Sequence, residues 1–179
     1  MHKCLMFNMK VKIISSTPFG PVSLIWNNLN SVPRVSRVIL SRPGRMNEVN
    51  IPDGSCAEID AVAESISAIL QGGNCVIPIE IADFSSCSDF QQKILRAQYQ
   101  VPRGQVTAYR ELSERAGIKN GERAAGTALA SNPFPLIIPC HRTIRADGFP
   151  GEYQGGRAMK EALLEMEGIR FDHSGRAVR

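Results

Sequence analysis

The sequence predicts a mixed α/β protein of two domains. Residues 1–82 form a small sheet-plus-helix domain, and residues 83–179 form a mostly helical domain containing a helix-turn-helix. Three observations carry this expectation. β-Branched runs separated by turn residues fill the chain before Ser41, one amphipathic pattern spans Ala57 to Leu70, and beyond Ser88 the apolar spacing is helical.

Val11 to Ser16 and Val22 to Trp26 read as strands joined through Thr17-Pro18-Phe19-Gly20-Pro21, whose turn chemistry makes them a hairpin. Arg37 to Ser41 reads as a third strand, and Arg42 to Gly54, rich in Pro, Gly and Asn, as a loop. Ile59, Val62, Ala63, Ile66, Ile69 and Leu70 share one helical face, which covers the sheet and stops at Gly72-Gly73. From Cys75 to Ile81 the alternation weakens, and Pro78 assigns the segment to a sheet edge or an extended linker. The domain boundary falls between Ile79 and Ser86. Ser88 and Gln91 read as a capping box opening a helix to Gln98, with Phe90, Ile94, Leu95 and Ala97 inward. Val101-Pro102-Arg103-Gly104 breaks it. Tyr109 to Ala116 is a second helix, with Leu112 and Ala116 inward, closed by Gly117. A turn at Lys119-Asn120-Gly121 leads to a third helix, Glu122 to Ala130, and this pair has the helix-turn-helix shape. Ala158 to Met166 is a last helix, with Leu163 and Leu164 inward and Gly168 as its stop, and the tail from Ile169 to Arg179 reads as frayed.

Composition sets the outer bounds. A chain of 179 residues, 43% hydrophobic, can bury a core. No stretch approaches the roughly 18 apolar residues of a membrane span. Met1 to Phe7 lacks the apolar run and cleavage site of a secretory signal, so an intracellular protein is expected. Cys4, Cys56, Cys75, Cys87 and Cys140 form no CxxC pair and are odd in number, which argues against a disulfide framework and structural zinc. A net charge of +4 and a pI near 8.9 permit a polyanionic partner without requiring one.

The chemistry concentrates between Asn132 and Gly156. Ile137 and Ile138 lead through Pro139 to Cys140 and His141 at the mouth of a loop punctuated by Gly and Pro. These residues alone leave two readings open: a reactive thiol beside a base, or a buried cysteine acting as a small hydrophobe. The helix from Glu122 has the same duality. Its Ala124, Ala125, Gly126, Ala128 and Ala130 suit close helix packing, or they offer a low-relief face to a nucleic-acid groove with Arg123 projecting from its start.

Four motifs occur in order: Asn132-Pro133, Pro139-Cys140-His141-Arg142, Gly151-x-Tyr153-x-Gly155-Gly156, and Leu163-Leu164-x-x-Glu167-Gly168. Together they closely resemble the O6-alkylguanine-DNA alkyltransferase family over roughly Phe90 to Gly168. In the N-terminal third the similarity is one of outline, best at Pro18-Phe19-Gly20-Pro21, and it implies a ribonuclease H-like domain. The resemblance implies a suicide methyltransferase that repairs DNA by direct reversal. After base flipping, the alkyl group of O6-alkylguanine, with O4-alkylthymine a further candidate, passes irreversibly to Cys140 in a single turnover.

The same resemblance assigns roles. His141 matches the general base, expected to act through a bridging water because adjacent side chains on extended backbone point apart. Glu167 matches the carboxylate that orients it, and its place near a helix C-terminus, where the dipole disfavours an acid, supports a functional part. Tyr153 matches the phenol bonded to guanine N3, and Asn132 the support of the active-site turn. Main-chain groups around Cys140, Thr143 and Gln154 are the expected readers of the base edge, and Thr143, Gly151, Gln154, Gly155 and Gly156 form the pocket rim. Tyr109 crowds the target phosphate, Arg123 fills the gap in the stack, and Ala124, Ala125 and Gly126 dock in the minor groove.

Two departures bear on the range of alkyl groups: Gln154 stands where the family often has a smaller residue, and Glu152 adds a negative charge beside the pocket. Human-type members carry an N-terminal zinc site, but Cys4 and His2 lack partners here, so no metal and no cofactor are expected. The expected partner is double-stranded DNA containing O6-alkylguanine, bound by a monomer with no membrane involved. The expected location is cytoplasmic, nucleoid-associated in a prokaryote or nuclear in a eukaryote. A lesion-binding protein without transfer is disfavoured by Cys140, a sequence-reading regulator by the nearly featureless helix, and a thiol hydrolase by the lack of an oxyanion hole.

Overall fold

Local pairing builds the sheet. The computed structural model describes residues 9–42 and 49–178, in which β1 (Lys10–Ile14), β2 (Val22–Leu29) and β3 (Val32–Ile39) form an antiparallel sheet in the order β1-β2-β3. The expectations for Met1 to Phe7, including Cys4 and His2, and for residues 43–48 of the loop after Arg42 lie outside the described residues. Thr17 Oγ1 accepts from Phe19 N and donates to Gly20 O, closing the first hairpin where its Pro and Gly residues predict it. The third strand starts at Val32 rather than Arg37, and β2 runs on to Leu29. Asn30 and Ser31 make the intervening turn with φ of 50° and 63°. That geometry usually takes Asn-Gly, and Pro33 speaks against a strand, so the pattern conceals this turn.

Helix α1 (Ala57–Leu70) buries the six apolar residues expected of it over the sheet. Of the segment from Cys75 to Ile81, only Ile79–Ile81 is regular, as a 3-10 turn. Ser88 Oγ caps α2 (Asp89–Tyr99) by accepting from Gln91 N. The capping box is only half formed. The Gln91 amide donates instead to Ala128 O and Ser131 O, which ties α2 to the C-terminal end of α4 (Glu122–Ala130). Helix α3 (Tyr109–Arg115) starts where Glu111 accepts from Ala108 N and Thr107 Oγ1, and α2, α3 and α4 pack on one another. A short parallel pair, β4 (Thr107–Ala108) with β5 (Thr143–Ile144), and α5 (Arg157–Met166) complete the site's frame.

The tail is not frayed. β6 (Arg170–Phe171) and β7 (Ala177–Val178) pair across a turn in which the Asp172 carboxylate accepts from Ser174 N and Arg176 N. Strands this short carry no readable period; the signal was the Asp172-x-Ser174-Gly175 turn.

One apolar cluster joins the sheet and α1 to the helices, with Trp26, Val35, Ile59, Ile66 and Leu70 continuous with Ile94, Leu95, Leu112 and Phe134. Val38 N also donates to Pro133 O at 2.7 Å and Asp83 N to Val35 O at 2.8 Å, which covers the outer edge of β3. Phe134, fully buried and edge-on to Phe84 at 5.2 Å, lies at this junction. Phe134→Ala is expected to cost about 3–5 kcal/mol in urea unfolding. A loss below about 1 kcal/mol would contradict this central placement.

Candidate active site

Asn132 shapes the turn that delivers the thiol. Its Oδ1 accepts from Phe134 N at 2.9 Å and its Nδ2 donates to Ile138 O at 3.3 Å, both within the protein interior. Between them the chain bends sharply, with Leu136 at φ 73°. Cys140–Arg142 then forms a 3-10 turn. The extended backbone expected at Cys140 and His141 is therefore absent, because Pro135 to Pro139 is a compact loop rather than a strand. Buried Gln98 fixes the turn from behind: Nε2 donates to Pro139 O at 2.8 Å, and Oε1 accepts from Thr143 Oγ1.

His141 is buried with Nε2 at 2.9 Å from Glu167 Oε1. Arg142 donates to both oxygens of the same carboxylate at 2.8 Å, and through Nη1 to Val101 O at 2.7 Å. Glu167 is the C-cap of α5, where the helix dipole opposes an anion, and these donors offset that opposition. Burial pushes the Glu167 carboxyl up, but hydrogen bonds from His141 and Arg142 outweigh it and hold the pKa at about 2. Burial pulls His141 below its ordinary range against the bond and charge of Glu167. With a neutral ring donating from Nε2, Nδ1 carries a lone pair and has no partner among the described residues. Burial also raises the Cys140 thiol, opposed by a hydrogen bond with Asn132 and the charge of Lys160. The resting site thus holds a protonated thiol, a neutral imidazole and an ionised carboxylate.

These shifts set a pH dependence. Glu167 is depressed from 4.5 to about 2, so its stabilisation is complete above 4.5 and is lost as pH falls through about 2. His141 is depressed from 6.5, so protonation of the unfolded chain below that value also removes stability as pH falls. Both act in one direction. The melting temperature is expected to decline below pH 6.5 and most steeply between pH 4.5 and about 2. Glu167→Gln should flatten the lower window in a calorimetric pH series, and an unaltered slope there would refute the assignment.

Cys140, Tyr109, Gly126 and Tyr153 line one cavity of about 400 Å³, together with Gly151 and Gln154 of the expected rim. The other rim residues lie elsewhere. Thr143 is fully buried, with its side chain on Gln98 and its carbonyl accepting from Lys160 Nζ at 2.6 Å. Gly155 packs so closely on Met159 that an added Cβ would meet Sδ at 2.1 Å, and Gly156 caps α5 at φ 91°. Main-chain groups expected at the base edge are already engaged within the chain: Cys140 N by Ile138 O, Thr143 O by Lys160, and Gln154 O by Arg42 Nε. Arg123 and Ala124 are exposed on α4, but Ala125 is fully buried, so it belongs to the core rather than to a docking face.

The Tyr153 hydroxyl is buried without a partner among the described residues, and its ring stands edge-on to His141 at 6.2 Å. Burial, with the charges of Cys140 and Glu167, raises its pKa well above the ordinary range, so it is a neutral donor. Glu152 lines this cavity together with Arg42 and Arg145. Sequence reasoning gave no role to Arg142, Gln98, Arg42 or Lys160. Lys160 is nearly inaccessible, and burial lowers its pKa to about 8 against the charges of Cys140 and Glu152. A lysine on a helix ordinarily reads as solvated, so only the structure could reveal it.

Fold and site together define a class: a mixed α/β chain with a cavity-facing thiol beside a buried imidazole–carboxylate pair. Residues 89–169 match the family model described as 6-O-methylguanine DNA methyltransferase, DNA binding domain. A methylated-DNA–protein-cysteine methyltransferase of Methanothermobacter thermautotrophicus is 42% identical over 114 residues, covering 64% of each chain. Its namesake from Mycobacterium tuberculosis is 41% identical over 83 residues, 46% of this chain and 50% of that one, so each alignment spans less than two thirds of the relative. The crystal structure of the Mycobacterium tuberculosis O6-methylguanine methyltransferase superposes with a TM-score of 0.72 at 28% identity, over 89% of this chain and 92% of that one. A structure from the same organism titled as an OGT in complex with DNA gives 0.72 at 28%, over 89% and 93%.

Proposed function

We propose that the protein repairs DNA by transferring the alkyl group of O6-alkylguanine to Cys140. The carrying observation is the cavity lined by both Cys140 and Tyr153, backed by His141 with Nε2 held by Glu167, where the Tyr153 hydroxyl and His141 Nδ1 have no partner among the described residues. The thiol proton passes through a water to His141 Nδ1, and the imidazolium is stabilised by Glu167. The thiolate forms a bond to the alkyl carbon as that carbon's bond to O6 breaks. The electron pair stays on guanine, where the Tyr153 hydroxyl donates a hydrogen bond to N3, and guanine takes up one proton in place of the one that His141 removed from the thiol. The thioether product has no ready return path, so each molecule acts once.

The DNA reading is supported by the relative solved with DNA, and by α3 and α4, which we take as a helix-turn-helix with Tyr109 and Arg123 assisting base flipping. Arg123, Ala124 and Gly126 form the docking face, with Ala125 packed beneath. We retain the division into a ribonuclease H-like 1–82 and a DNA-binding 83–179, monomeric binding, a cytoplasmic or nuclear location, and O4-alkylthymine as a second lesion as parts of this proposal. Free O6-benzylguanine should release guanine in an amount equal to the protein and then stop. Continued release would contradict single use.

A further inference from the structure

Two helices from opposite ends of the chain finish at one guanidinium. Helix α1 closes with Gly72 at φ 86°, Gly72 N donating to Ile69 O at 3.0 Å and Gly73 N to Ala68 O at 2.8 Å. Helix α5 closes in the same way, with Gly168 at φ 90°, Gly168 N on Glu165 O at 2.9 Å and Ile169 N on Leu164 O at 3.0 Å. Such closures satisfy the carbonyls further back and leave the last ones to other donors. Arg103, in the loop after α2, supplies them: Nη1 donates to Gly73 O at 3.0 Å, and Nη2 to Gly72 O at 2.8 Å and Met166 O at 2.6 Å. No carboxylate pairs with Arg103 among the described residues. Its charge faces the negative ends of two helix dipoles instead.

Met166 directly precedes Glu167, the carboxylate that holds His141. The same loop also approaches Glu167 and the arginine that bonds its carboxylate. Val101 O accepts from Arg142, which donates to the Glu167 carboxylate, and a Cβ on Gly104 would come within 3.3 Å of the Glu167 main-chain carbonyl. We propose that Arg103 is a positioning residue, which locks the end of α5 against the end of α1 and so holds Glu167 in place for His141 to activate Cys140. This rests on the alkyl-acceptor reading of Cys140. Arg103 shares a cavity of about 320 Å³ with His141, Arg142 and Glu167. It is absent from the lining of the cavity that Cys140 faces. Its loss should therefore alter the base side of the site and spare the guanine side.

The test compares the full-length parent with Arg103→Ala and Arg103→Gln. The first readout is the downfield proton resonance of His141 Nε2–H, identified by its loss in His141→Gln. The second is the rate of benzyl transfer from free O6-benzylguanine, and the third is affinity for a duplex containing O6-methylguanine. In Arg103→Ala the resonance should broaden and transfer should slow about 10-fold, with DNA affinity unchanged. Arg103→Gln, which keeps a donor but loses the charge, should fall between it and the parent. An intact resonance and full rate in folded Arg103→Ala would overturn the proposal, as would DNA affinity falling in step with rate, which marks a merely structural role. Should Arg103→Ala not fold, Arg103→Gln is judged by the same criteria. If the parent itself takes up no benzyl group, the alkyl-acceptor reading fails, and the resonance alone decides whether Arg103 holds the His141–Glu167 pair.

Discussion

Cys140→Ser is expected to reduce alkyl uptake by roughly four orders of magnitude or more while leaving the affinity for lesion-containing duplex essentially intact. Serine fits the space of the thiol, so the turn held by Asn132 and Gln98 survives. What disappears is the acid strength of the nucleophile. A thiol whose ordinary pKa lies near 9 can pass its proton to a neutral imidazole when guanine enters, even though burial raises it at rest. A hydroxyl cannot reach a useful anionic population beside the same base. The residues proposed to hold DNA, Tyr109 and Arg123, lie on α3 and α4 and are unchanged. Single-turnover uptake of radiolabelled methyl groups, paired with fluorescence anisotropy on the same duplex, separates the two properties. Residual uptake within about 100-fold of the parent would mean that Cys140 is not the acceptor.

Arg123→Ala should slow repair of O6-methylguanine in duplex DNA by about 10–100-fold, equivalent to roughly 1.4–2.8 kcal/mol. Extruding a stacked base costs a few kcal/mol, and a side chain that fills the vacated step offsets part of that cost. Arg123 is exposed near the start of α4 and absent from the cavity lining, so it has no direct part in the transfer step. Reaction with free O6-benzylguanine should therefore proceed at the parent rate. Equal losses on both substrates would reject the flipping role and point to damage at α4. Binding of all variants to duplex should weaken as salt rises, because phosphate contacts release counterions.

Much of this arrangement could be read before any coordinates. Helix α1 is legible because its six apolar residues keep one period and two glycines end it. The Cys140, His141, Tyr153 and Glu167 set is legible because its motifs carry the spacing of a known family. The parts that escaped reading depend on contacts between distant segments. The turn at Asn30-Ser31 uses left-handed backbone without glycine, and the β6–β7 strands are two residues each. Ala125 and Ala124 are chemically identical neighbours, and only the packing of α4 against α2 and α3 decides which is buried. Lys160, Arg103 and Gln98 look like surface residues in any local pattern, yet each meets main-chain carbonyls supplied by other elements. The resemblance implies Thr143 at the rim, but the 3-10 turn at Cys140–Arg142 leaves it fully buried and outside the cavity lining.

The central claim is that Cys140 is a single-use acceptor of an alkyl group from guanine. Its most direct test is to incubate the full chain with excess duplex containing O6-methylguanine and weigh the intact protein, its proteolytic peptides and the DNA. The account predicts one methyl group per protein molecule, carried on the Cys140 peptide, with an equal amount of guanine restored in the duplex. Repair of more lesions than there are protein molecules, or binding with no change in the mass of that peptide, would contradict it.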